Sequence, residues 1–90
     1  MNLKEFYEFH GLSRLHFAKL IGIDYRTLMR YESGLEVTKE NKLRIEIGMD
    51  IIEDWAIRYP HSEKHFNRQT TRNYDAQFNW LFNRALSLEL

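Results

Sequence analysis

The sequence has no cysteine, a single proline, four glycines and no net charge across its 90 residues. Without cysteine there can be no disulfide, no thiolate zinc ribbon and no thiol redox chemistry, a usage that fits a reducing cytoplasm. No run approaches the roughly 20 apolar residues that a membrane span requires. The opening "MNLKEFYEFHG" also lacks the continuous apolar segment of a signal peptide. A soluble, cytoplasmic protein with no membrane partner is therefore expected. Thirteen basic residues balance thirteen acidic ones, so the overall positive charge typical of a nucleic-acid binder is missing as well. The acidic excess is confined to residues 35–59, where six Asp/Glu meet four Lys/Arg.

What is present is apolar and aromatic. The chain is 43% hydrophobic, with six Phe, five Tyr and two Trp, which is the composition of a folded domain and argues against extensive disorder. Its length suffices for one modest core and not for two. In "NLKEFYEFH", Leu3, Phe6 and Tyr7 share one helical face, and Gly11 supplies a helix stop. Ser13 reads as the N-cap of "RLHFAKLI", with Phe17, Leu20 and Ile21 at core spacing and Gly22 at its end. After only Gly22 and Ile23, Asp24 caps "YRTLMRYE", which runs to Gly34. The expected class is therefore all-α.

The next segment has two readings. Thr38 caps "KENKLRIEIGMDIIEDWAIRY", in which Leu43, Ile47, Ile51 and Trp55 keep i, i+4 spacing across Gly48, as one continuous helix would. Asp50 and Glu53 also form a capping box, and on that reading Gly48 ends one helix and Asp50 opens another. Residues 60–74 are poor in aliphatics and read as a long connection. Asp75 then caps a last helix with Phe78, Leu81, Phe82 and Ala85 in a stripe and Trp80 outside it.

Residues 13–34 resemble the helix-turn-helix of the Cro/C1 (XRE) repressor family, whose pattern runs S-Q-x-x-L-A-x-x-L-G-V-S-x-x-T-I-S-R-x-E-x-G. Ser13, Ala18, Gly22, Thr27, Arg30, Glu32 and Gly34 match in type, and Phe17, Ile21, Ile23, Asp24 and Leu28 are conservative replacements. The general look is closest to compact temperate-phage immunity repressors. The resemblance implies a lambda-repressor-like helix-turn-helix domain over residues 1–59; residues 60–90, which it does not cover, are expected to be a connection and a C-terminal helical extension that builds a dimer, for five to six helices in all. It implies a nucleoid-associated, sequence-specific regulator of transcription, a repressor acting as a homodimer on a palindromic operator in double-stranded DNA. Ala18 and Gly22 would then serve the close crossing and the turn. Three departures stand out: the family's Gln at the head of the second helix is Arg14, its basic partner for Glu32 in the first helix is Tyr7, and the segment between Gly34 and Gly48 is shorter than in many members.

Periodicity turns Leu28, Tyr31 and Glu32 inward and leaves Tyr25, Arg26, Met29, Arg30 and Ser33 outside. Arg can pair with guanine O6 and N7, while Tyr25 or Met29 can touch a thymine methyl or the sugar edge, so these four are the candidate base contacts. Arg14, Lys19 and Thr27 are the candidate phosphate contacts. An inward carboxylate needs a donor, and the Tyr7 hydroxyl is expected to supply it to Glu32, with Arg30 as the alternative. Against these stands the ordinary reading of exposed Arg as a device for solubility.

His61 and His65 have the i, i+4 spacing of a metal pair but no third ligand, so no metal site is expected. No nucleophile stands with a base and an orienting group, so neither an enzyme nor a cofactor is expected. Trp80, with Phe78, Leu81 and Phe82, is the candidate dimer interface. The rival reading is an antitoxin-like or adaptor module whose neutral charge and surplus aromatics serve a protein partner.

Overall fold

The computed structural model describes residues 2–58 and 71–89, and among these it is all-helical. Helices α1 (Leu3–Phe9), α2 (Arg14–Ile21) and α3 (Tyr25–Glu32) are short, whereas α4 (Lys39–Arg58) and α5 (Thr71–Glu89) span 20 and 19 residues. The short helices are defined by their ends. The Asn2 side chain accepts from the Glu5 N–H at 2.8 Å, Ser13 Oγ from His16 at 3.1 Å, and Asp24 Oδ1 from Arg26 at 2.9 Å. Each of these satisfies one of the free N–H groups of a first helical turn. At the other ends, chain reversal through a glycine lets the next residue donate back into the helix: Leu12 to Tyr7 O at 2.8 Å, Ile23 to Ala18 O at 3.1 Å and Leu35 to Arg30 O at 3.0 Å.

Gly22 is the position where this geometry most needs glycine. Its φ of 71° is left-handed, and a Cβ there would lie 2.8 Å from Arg44 Nη1. That guanidinium in turn donates to the Ile21 carbonyl at 3.2 Å, so α4 reaches across to satisfy the last turn of α2.

One core joins all five helices. Phe6, Phe17, Ile21, Leu28, Ile52 and Phe78 are almost completely buried, and Tyr7, Ala18, Ile23, Tyr31, Ile45, Ile47, Phe82 and Leu86 surround them. Helix α5 packs along α4 and also against α2. It is part of the same core, and the expected boundary between residues 59 and 60 lies outside the described residues.

Of the two readings for residues 39–58, the structure takes the continuous helix. Thr38 caps it, with Oγ1 accepting from the Asn41 N–H at 3.3 Å. Gly48 is buried mid-helix as a packing residue, because α2 and α5 press on it from Ile21 and Phe78. The side chains nearest the core are Ile45, Ile47 and Ile52, while Leu43, Ile51 and Trp55 flank them half-buried. The last helix begins at Thr71, so Asp75 is an interior residue and not its cap. Its buried stripe is Phe78, Phe82 and Leu86, with Ala85 alongside. Leu81 is exposed, because the helix is rotated to bring Leu86 inward.

A Cβ at position 48 would overlap Ile21 Cγ2, which belongs to a β-branched side chain with no exposure and no free rotamer to retreat into. Helix propensity alone rewards Gly→Ala by about 1 kcal/mol. Overpacking a closed core costs about 1–3 kcal/mol. Gly48→Ala is therefore expected to lower the urea midpoint, and a raised midpoint would show that α2 and α4 do not approach this closely.

Candidate functional site

The site is built on α3. Its apolar side carries Leu28 and Tyr31 into the core, and Tyr31 is further fixed by Asn41, whose side-chain amide donates to the Tyr31 hydroxyl at 2.7 Å. Hydrogen bonds from Asn41 and Thr38 outweigh burial there and hold the phenol below its ordinary pKa. The opposite side carries Arg26, Met29, Arg30 and Ser33, all exposed, with Met29 at 41%. Thr27 is half-buried at the edge, and Lys19 is exposed on neighbouring α2. Among the described residues neither Arg26 nor Arg30 forms an ion pair or a side-chain hydrogen bond. Two cations and a thioether thus share one face of a helix whose other face is anchored.

The anchor is Glu32, at the last turn of α3. As expected, the Tyr7 hydroxyl donates to its Oε1, at 3.0 Å, tying α1 to α3. Arg30 has no part in this. The missing basic partner is supplied from α2 by Arg14, whose Nε donates to Glu32 Oε2 at 2.7 Å and whose Nη2 donates to Oε1 at 3.1 Å. This two-point pairing of guanidinium with carboxylate is the stronger kind of ion pair. Burial by itself pushes the Glu32 carboxyl upward. The hydrogen bonds from Arg14 and Tyr7, with the charges of Arg14 and Lys4, outweigh it and leave the group below its ordinary value. The same neighbours leave their mark on the partners. Tyr7 is raised, first by burial and then by Glu32, and Arg14 is raised chiefly by its hydrogen bond to Glu32.

Four of the candidate contact and interface residues are engaged within the protein. The Arg14 side chain, 26% exposed, gives Nε and Nη2 to Glu32 and turns Nη1 toward Tyr25, so most of its donors already have partners within the protein. Tyr25 is 39% exposed, but its hydroxyl accepts from Arg14 Nη1 at 3.3 Å and its ring lies 5.6 Å from the guanidinium carbon. Its ring therefore lies on the side of α3 that faces the head of α2. Phe78 and Phe82 are buried against α4 and α2 within one protomer, so they cannot form a dimer surface. Only Trp80 and Leu81 of that group face outward, at 61% and 38% exposure, and the Arg84 guanidinium carbon lies 5.2 Å from the Trp80 ring centre.

Sequence spacing missed Arg14 as the partner of Glu32, and it missed Arg44 as the group that closes the end of α2. The usable signal for the first was that Glu32 turns inward while the hydrogen-bond donor that α1 places against it is a neutral phenol. That combination demands a cation from another helix, and the head of α2 is where one stands.

Among the described residues no three His, Cys, Asp or Glu side chains cluster as metal ligands, and no helix is long and apolar enough to cross a membrane. His61 and His65 lie outside the described residues. No protein-family model matches the chain, and comparison with curated proteins and with solved structures finds no match either.

The pairing at Glu32 sets an acid dependence. A carboxyl whose pKa is depressed in the folded state adds stability above its unfolded pKa and loses it as pH falls through the lower, folded one. The stability gap between the native chain and Glu32→Gln should therefore be widest near neutrality and close progressively below the ordinary value of 4.5. Urea titrations from pH 7 to strong acid measure it, and a gap constant across that range would contradict the pairing.

Proposed function

We propose that the protein is a sequence-specific double-stranded DNA-binding regulator of the Cro/C1 helix-turn-helix type, most simply a repressor that acts by covering its operator. The observation that carries this reading is the exposed α3 face, on which Arg26 and Arg30 stand without a carboxylate partner among the described residues while the opposite face is buried and fixed through Glu32. Unpaired Arg on an anchored helix suits bidentate recognition of guanine in the major groove. Met29 lies between them to meet a thymine methyl, and Lys19 and Thr27 flank the helix as phosphate contacts. The order of α2 and α3, their three-residue joint and their length support the same docking. The neutral net charge does not decide against it, because base readout depends on a few placed donors while overall charge governs non-specific affinity.

A gel shift with sheared genomic DNA at low and moderate salt tests the reading, and selection of the bound fragments supplies the operator. On that operator Arg26→Ala and Arg30→Ala should each cost about 1–3 kcal/mol. Unchanged affinity in both would remove the docking model. No binding to any fragment would leave the rival reading, a module for a protein partner.

A single short recognition helix reads few bases, and a homodimer would set two of them about 34 Å apart along the duplex. The outer side of α5 is the surface we assign to pairing, centred on Trp80 and Leu81. These two line a shallow cavity of about 420 Å³ with Ala76 and Gln77, and Leu88 is exposed further along the same helix. Deleting α5 would strip Phe78 and Phe82 from the core, so a surface substitution is the cleaner test. Trp80→Glu should keep the helical circular dichroism of the native chain, convert a sedimenting dimer to monomer, and weaken operator binding. A variant that stays dimeric moves the interface elsewhere.

A further inference from the structure

The side chains of Arg14 and Tyr25 form a pair that neither the packing of the core nor base readout requires. Arg14 is already held by two hydrogen bonds to Glu32, and its Nη1 reaches outward to the Tyr25 hydroxyl at 3.3 Å. A phenol that accepts from a cation still has its own O–H to donate. Tyr25 is the first residue of α3 and remains partly exposed, so that O–H is available to solvent or to a ligand. The pair borders an open depression of about 320 Å³ that also includes Lys4, Ser13 and Leu15, with one carboxylate, Glu8. The free N–H groups of the first turn of α2, which Ser13 caps, are at the same place. A proton donor beside a cation and a helix N-terminus suits an oxygen anion.

We infer that the Tyr25 hydroxyl donates to a phosphodiester oxygen of the DNA backbone, and that Arg14 is the positioning residue that aims it. The inference rests on the DNA-binding reading given above. It assigns Tyr25 to the backbone, with its ring lying against Arg14, and it makes the chain Tyr7–Glu32–Arg14–Tyr25 a continuous set of hydrogen bonds from α1 to the DNA. The cation at the head of α2 then acts on phosphate through the phenol. A backbone donor of this kind fixes register and strengthens binding to all sequences alike.

The test uses the full chain and a labelled pool of random-sequence duplexes about 30 bp long, titrated between about 50 and 200 mM salt. Tyr25→Phe removes one oxygen and keeps the ring. It should weaken binding about fivefold to tenfold with an unchanged salt slope, because a neutral donor displaces no counterion. Arg14→Lys keeps a charge for Glu32 but loses the reach to Tyr25. It should weaken binding by a similar factor in the native background and cause no further loss in Tyr25→Phe. Circular dichroism melts establish that each variant is folded, and if Arg14→Lys is not, Tyr25→Phe decides alone. Native affinity in Tyr25→Phe overturns the inference. So do losses that multiply independently in the double variant, since Arg14 would then touch DNA itself. Failure of the native chain to bind the pool at the lowest salt would instead remove the DNA-binding reading on which all of this stands.

Discussion

The carboxylate of Glu32 is the point at which the first three helices are joined by something more directional than apolar contact. Hydrophobic burial can hold α1, α2 and α3 together, but it is non-directional and tolerates small rotations of one helix on another. Three hydrogen bonds to two oxygens are less tolerant. Tyr7 and Arg14 approach the carboxylate from α1 and α2, and both must be satisfied with α3 in a single orientation. The exposed side of α3 is defined as a consequence, because Arg26, Met29 and Arg30 point away from whatever face Leu28, Tyr31 and Glu32 commit inward. In the DNA-binding reading, the polar joint on the inside sets the aim of the Arg side chains on the outside.

The long helices supply the support for that joint. Helix α4 closes the end of α2 through Arg44 and steadies Tyr31 through Asn41, so it contacts both members of the α2–α3 pair with polar groups as well as apolar ones. Helix α5 lies on α4 and α2, with the Phe82 ring 6.0 Å from the Arg44 guanidinium carbon and Phe78 close to Gly48. A short domain has little apolar area to bury. Folding the last helix into the core, in place of leaving it as a separate appendage, gives the first three helices the backing that their own eight or fewer residues apiece cannot provide.

Much of this was legible residue by residue. Ser13, Asp24 and Thr38 announce helix starts because their side chains can satisfy the N–H groups of a first turn, and Gly22 and Gly34 announce ends because the reversal there is left-handed. Those are local rules, and they hold over residues 13–38. The inward turn of Glu32 followed from periodicity, and Tyr7 as its donor followed from the family resemblance, which places the partner of that carboxylate at this position of the first helix. The bond from Arg14 did not, because it depends on how α2 and α3 cross, which no spacing within either helix encodes. Gly48 was ambiguous for the same reason: a glycine that ends a helix and one that admits a neighbour look alike until Ile21 is seen beside it. On α5 the period was right and the phase was partly wrong. Leu81 and Leu86 compete for the inner face, and the position of α2 and α4 decides in favour of Leu86. The exposed Arg side chains of α3 were legible as exposed; their purpose is a matter for experiment.

The central claim is that the outer face of α3, with the head of α2 beside it, meets double-stranded DNA. The most direct measurement is an NMR titration of the labelled full chain with a short random-sequence duplex, following backbone and Arg side-chain resonances together. The account predicts that the largest shifts fall on Arg14, residues 24–30 and the Arg26 and Arg30 guanidinium groups, with little change along the buried side of α4. Shifts confined to the outer side of α5 around Trp80, with α3 unaffected, would contradict it.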